Sequence, residues 1–149
     1  MFVLDKTQNK IVKIKASTFS SLGYKEREHL QEWIEGNPDV FGEELLFIQK
    51  EFDGFGETRE RLDLLAIDKR GNLVVIENKL DDSGRDVTWQ VLKYASYCSS
   101  LSKSQIKDIY QIYLDKKASG GVSESNISEF LGVEDLSEVN FNQSQRIIL

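Results

Sequence analysis

The chain has 149 residues, with 19 Lys and Arg against 25 Asp and Glu, for a net charge of -6. Hydrophobic residues make up 40% and charged residues 30%, enough apolar content for one packed domain and too much for a disordered chain. This acidic balance disfavours a histone-like or sequence-reading DNA binder. It leaves a nucleic-acid enzyme open, because a metal ion can supply local positive charge. No run approaches the roughly 18 apolar residues of a membrane span. The start, Met1-Phe2-Val3-Leu4-Asp5, lacks a basic region followed by an apolar one, so a cytoplasmic protein is expected.

Cys98 and His29 are each the only residue of their kind. A disulfide framework and a thiolate zinc site are thereby excluded, and a metal here should be a hard ion on oxygen ligands. Cys98 reads as a small buried hydrophobe and His29 as a surface residue of the first helix.

In chain order, residues 1–15 read as a hairpin around a polar turn at Lys6-Thr7-Gln8-Asn9. Ser20 or Ser21 is expected to cap a helix to about Glu35, ended by Gly36-Asn37-Pro38. Its apolar face carries Leu30, Trp33 and Ile34, with Glu26 one turn earlier on the same side. Residues 45–52 read as a strand, followed by the turn Asp53-Gly54-Phe55-Gly56. Residues 61–68 and 72–80 are two further strands joined through Lys69-Arg70-Gly71, and residues 81–84 form a loop. Arg85 or Asp86 then opens a helix to about Leu101, and residues 103–117 form another. After a break at 118–121, a short helix is expected at 128–131 and a last strand at 146–149. The whole is one expected domain: an N-terminal hairpin (1–18), a catalytic core (19–101), then helices and a final strand (102–149). Because that strand stops without an exit, the chain is expected to be part of a longer protein.

The chemistry concentrates in the middle. If the 61–80 hairpin is symmetric about Arg70, residues whose numbers sum to 140 face one another, and Asp63 opposes Glu77. Directly opposed residues have Cβ atoms roughly 4.5–5.5 Å apart, so two carboxylates there repel unless a cation lies between them. Strand alternation adds Lys79 to the same face. A hard divalent ion suits this set, held by the two carboxylates, the main-chain carbonyl of Asn78 and waters. On the following helix, Val87, Gln90, Val91, Tyr94, Cys98 and Leu101 share a face. Gln90 and Tyr94, one turn apart, should look down on the charged strand ends.

Asp63, Glu77-Asn78-Lys79 and Gln90-Val91-Leu92-Lys93-Tyr94 together resemble the PD-(D/E)XK nuclease superfamily, with the Gln-x-x-x-Tyr helix of its RecB-like members. The spacing is also similar to that of the NucS/EndoMS-type nuclease domain, and to bacterial or archaeal proteins in which such a domain precedes a C-terminal one. The likeness runs from about Glu26 to Tyr94; Leu62 stands where the motif's name has proline. It implies a mixed α/β, restriction-endonuclease-like αβββαβ core, Mg²⁺ or Mn²⁺, and hydrolysis of DNA phosphodiester bonds in repair or defence. It makes Asp63 and Glu77 metal ligands, Lys79 the catalytic lysine and Gln90 with Tyr94 a supporting pair. A further acid is expected from the first helix: Glu26, with Glu28 in reserve.

Blander readings stand beside these. Arg61 either contacts phosphate or pairs with Glu77 or Glu60. Lys103, Lys107, Lys116 and Lys117 read as a solvated face, and Asp81, Asp82 and Asp86 as acids at a helix N-terminus. The rival functions are a catalytically weak nuclease-fold module that binds or docks nucleic acid, and a hydrolase or structural domain acting elsewhere. Expected partners are single-stranded, branched or mismatched DNA, with a homodimer and a further C-terminal domain allowed for.

Overall fold

A computed structural model describes residues 1–55, 60–80, 86–118 and 120–149. The expected Gly56, Asp81, Asp82 and Arg85 lie outside the described residues. Strand β1 (Phe2–Asp5) pairs antiparallel with β2 (Lys10–Lys13) as a separate hairpin. Asp5 closes its turn by accepting from the N–H groups of Thr7 and Gln8.

The main sheet contains β3 (Leu46–Phe52), β4 (Leu62–Ile67), β5 (Leu73–Ile76) and β6 (Gln145–Ile148), in that spatial order. β3–β4 and β4–β5 are antiparallel pairs, whereas β5 and β6 are parallel. A parallel pair needs a long crossover, supplied by α2 (Asp86–Ser99), α3 (Lys103–Lys117) and α4 (Ser123–Leu131). The short α1 (Gln31–Gly36) precedes β3. Fold class is therefore mixed α/β, with a four-stranded mixed sheet and the chain order α1, β3, β4, β5, α2, α3, α4, β6. Among the described residues, no helix is long and apolar enough to cross a membrane.

The sheet is covered on both faces, which is why β4 and β5 read as unbroken apolar runs rather than alternating ones. Leu64, Ala66, Val74 and Ile76 pack against Ile34 of α1. Leu65, Ile67, Leu73 and Val75 face Tyr94, Cys98, Ile106 and Tyr110 of α2 and α3. Burial pushes the Cys98 thiol up to about 12, so it is a packing residue. The β4–β5 register pairs Leu64 with Ile76, Leu65 with Val75, Ala66 with Val74 and Ile67 with Leu73, the expected symmetry about Arg70. Gly71 takes φ +79° in that turn, a conformation glycine adopts without strain.

Three expected elements are corrected. The first helix does not run from Ser20 or Ser21: a 3-10 turn at Ser20–Leu22 ends at Gly23 (φ +77°), and helical structure resumes as a π turn, Glu26–Leu30, leading into α1. No side chain caps the first of these segments, so the serines fail as a start signal. β5 ends at Ile76 rather than residue 80: Glu77 still donates its N–H to the carbonyl of Ile148 on β6 (3.1 Å), but the Asn78 N–H goes to the Asp63 carboxylate instead of the β4 backbone. α4 begins at Ser123, five residues before the expected start at 128, from an uncapped Val122.

α1, the β3 edge and α3 are tied by one carboxylate. Glu35, with its side chain 6% exposed, accepts from Tyr113 and Lys117 of α3, and pairs with Lys50 of β3 at 2.9 Å. Lys117 and Lys107, the latter paired with Glu124 at 3.2 Å, are thus structural rather than freely solvated. Burial alone would raise the Glu35 pKa; bonds from Lys117, Tyr113 and Lys50 overcome it and hold the group down to about 2. A depressed acid contributes stability above its ordinary pKa and loses it as pH falls through the folded value. Stability should therefore fall between pH 4.5 and about pH 2, by an upper figure of about 3 kcal/mol for this group. Acid titration of urea midpoints for the parent and Glu35→Gln checks this. The variant should lack that component of the slope, and parallel curves would contradict it.

Candidate functional site

Just beyond the last regular β4–β5 pair, two carboxylates enter the buried layer. Asp63 is 8% exposed and Glu77 2%. Asp63 lies in β4, whereas Glu77 follows the end of β5, where the chain leaves the ladder. The Asp63 Oδ2 accepts from the N–H of Asn78 at 2.8 Å, which locks the strand ends together and fixes the segment carrying the Asn78 carbonyl. From the first residue of α1, Gln31 donates its amide to the Asp63 carbonyl at 3.0 Å.

Lys79 reaches back to Glu77 Oε1 at 3.0 Å. Sequence alternation put them on one face of a strand; the structure joins them by a side-chain bond outside the strand. Glu26 Oε1 accepts from the Leu80 N–H at 3.1 Å, and its Oε2 lies 3.8 Å from Lys79 Nζ. Glu26 is therefore the acid that the first helical segment delivers to this cluster, and Glu28 is not: Glu28 pairs with Lys25 at 2.6 Å. Gln90 donates to the Tyr94 hydroxyl at 2.8 Å, and that hydroxyl donates to the Arg61 carbonyl at 3.1 Å. The helix thus holds the chain two residues before Asp63.

Arg61 pairs with neither Glu77 nor Glu60. Among the described residues, its acid partner is Glu51 Oε2 at 3.9 Å, while Glu60 pairs with Lys93. Sequence reasoning missed Glu51 and Gln31. The flanking pairs, Lys50 with Leu64 and Phe52 with Leu62, put Glu51 across from Asp63. Glu51 takes φ +53°, an uncommon and costly conformation for a residue with a Cβ. Its other oxygen lies 3.2 Å from Arg27 Nε. The polar run Gln49-Lys50-Glu51 inside an otherwise apolar strand was the available signal. Gln31 carried none, since a lone glutamine on a helix usually faces water.

Electrostatics sharpen the picture. Burial raises the Asp63 pKa against the opposing pull of the Asn78 N–H and Lys79, and Glu51 and Glu26 raise it further. Burial also raises Glu77, with Asp63 adding to the shift and Lys79 opposing it. Among the described residues, Glu77 Oε2 is buried without a hydrogen-bond partner. An orphaned carboxylate oxygen beside a second carboxylate is costly unless a cation is present. The donors are all oxygen, which fits Mg²⁺ or Mn²⁺ and not a thiophilic metal. Among the described residues, no group of three His, Cys, Asp or Glu side chains is gathered for a metal, so Asp63 and Glu77 would need main-chain and water oxygens to complete the shell.

Elsewhere, His29 accepts from the Lys25 N–H at 3.1 Å and stacks edge-on against Tyr24 and Trp33, away from this cluster. Asp86 sits in the first turn of α2, as an acid favoured by the helix dipole. Lys103 donates to the Leu136 carbonyl at 2.5 Å.

If a cation relieves the carboxylate pair, millimolar Mn²⁺ should raise the thermal midpoint of the parent and leave Glu77→Gln unmoved. Saturation at 100 times the dissociation constant is worth about 2.7 kcal/mol. Without metal, the variant should be at least as stable as the parent, and equal metal shifts in both would contradict this site. No family model, curated protein or solved structure matches the chain.

Proposed function

We propose that this chain is a divalent-metal-dependent nuclease domain that hydrolyses DNA phosphodiester bonds, built on a restriction-endonuclease-like core and used in repair or defence. The observation that carries the proposal is the buried Asp63–Glu77 pair with its orphaned Glu77 Oε2, adjoined by Lys79. Such pairs are costly to fold and have an evident use where a metal acts on phosphate.

Asp63 and Glu77 would hold the ion, which lowers the pKa of its water and offsets charge on the phosphate. Lys79, held at 3.0 Å by Glu77 and oriented by Glu26, is the donor available to the attacking water or to the developing phosphate charge. Water oxygen forms the new bond to phosphorus as the bond to the leaving nucleotide oxygen breaks. Gln90 and Tyr94 act through the Arg61 carbonyl and so position β4, while the exposed Arg61 guanidinium is free to turn from Glu51 to a phosphate.

A second reading, a nuclease-fold module that binds or docks nucleic acid without efficient cutting, draws on the absence of a three-side-chain ligand group among the described residues. Cleavage of supercoiled plasmid, single strands, mismatched and forked duplexes separates the two. Nuclease action predicts cutting with Mg²⁺ or Mn²⁺ and none with EDTA. Losses of about a hundredfold or more are expected for Glu77→Gln and Lys79→Ala, with folding retained. Full activity in both variants, or no cutting of any substrate, would reject it.

A further inference from the structure

Val87, Val91, Tyr94 and Cys98 of α2 enter the core, and Gln90 joins the site; Trp89 does neither. Its side chain is 74% exposed, an unusual state for the largest aromatic residue. Beside it opens a cleft of about 400 Å³ lined by Glu60, Asp86, Trp89, Gln90 and Lys93. That volume falls in the range of small-ligand sites, roughly 300–1,000 Å³.

We propose that Trp89 is a stacking platform for an unpaired nucleobase, and that Gln90 and Asp86 receive the edge of that base. The inference rests on the nuclease reading for its location and deepens it by naming the substrate class: nucleic acid with an unpaired base beside the cut.

Three features lead there. An exposed indole offers a flat π-face, and only a base without a stacked neighbour can lie on it. The rest of the lining is polar. Among the described residues, the Gln90 amide keeps one N–H and its carbonyl after its bond to Tyr94, and Asp86 is an acceptor suited to a base amino group. A phosphate would fit badly, because among the described residues the one ammonium in the lining, Lys93, is paired with Glu60. Finally, the cleft adjoins the reaction centre. Gln90 donates to the Tyr94 hydroxyl, and that hydroxyl donates to the Arg61 carbonyl, two residues before Asp63.

The chain has two tryptophans, so in a Trp33→Phe background the indole emission reports Trp89 alone. Titration in EDTA, with a single-stranded oligodeoxycytidine and a duplex of equal length, separates binding from cutting. Quenching by the single strand and not the duplex is expected. Trp89→Ala should weaken single-strand binding about tenfold or more, and Trp89→Phe should restore most of it. Unchanged emission, equal quenching by duplex, unaltered affinity in Trp89→Ala or binding of neither nucleic acid would each overturn the proposal. The two readings fail separately. Metal-dependent cutting that Glu77→Gln abolishes, with single-strand binding and cutting indifferent to Trp89→Ala, contradicts the platform alone. Trp89-dependent binding with no cutting in Mg²⁺ or Mn²⁺ contradicts the nuclease alone.

Discussion

Two carboxylates forced together below the surface are the constraint around which this fold is arranged. The Asp63–Glu77 juxtaposition follows from the β4–β5 register, and that register follows from the turn at Gly71 and from eight apolar side chains that can face their layers in only one way. A slip by one residue would turn every one of them to the wrong face. The core thus holds the acids together against their repulsion. Leu65, Ile67, Leu73 and Val75 supply the burial that offsets it.

The surrounding polar groups answer that repulsion only in part. Lys79 satisfies one Glu77 oxygen, and the Asn78 N–H satisfies one on Asp63. Glu51 and Glu26 add further negative charge nearby, and Glu51 does so from a left-handed backbone conformation. A cluster selected for stability alone would replace one acid by an amide or a hydrophobe. Keeping the acids, a buried oxygen without a partner among the described residues and a strained residue in one place is what the proposed metal site accounts for.

Much of this was legible in the residues. The hairpin register follows from simple symmetry about Arg70, and the α2 face from helical spacing; α3 has the expected bounds because Ser102 and Gln105 form a capping box. The failures have physical causes. The segment before α1 contains two serines that look like caps, yet Gly23 breaks the chain and Glu26 opens a π turn that no periodicity argument distinguishes from an α-helix. The early end of β5 is set where the Asn78 N–H bonds the Asp63 carboxylate instead of the β4 backbone, a side-chain bond that strand patterning does not reveal. Glu51 and Gln31 reach the site through a strand irregularity and a buried helix turn, both tertiary effects.

The most direct test of the carboxylate pair as a metal centre is an anomalous-scattering map from crystals of the full chain equilibrated with Mn²⁺. The account predicts one strong peak within coordination distance, roughly 2.0–2.4 Å, of Glu77 Oε2 and an Asp63 oxygen. No peak there at saturating Mn²⁺, with the two acids ordered, would contradict it.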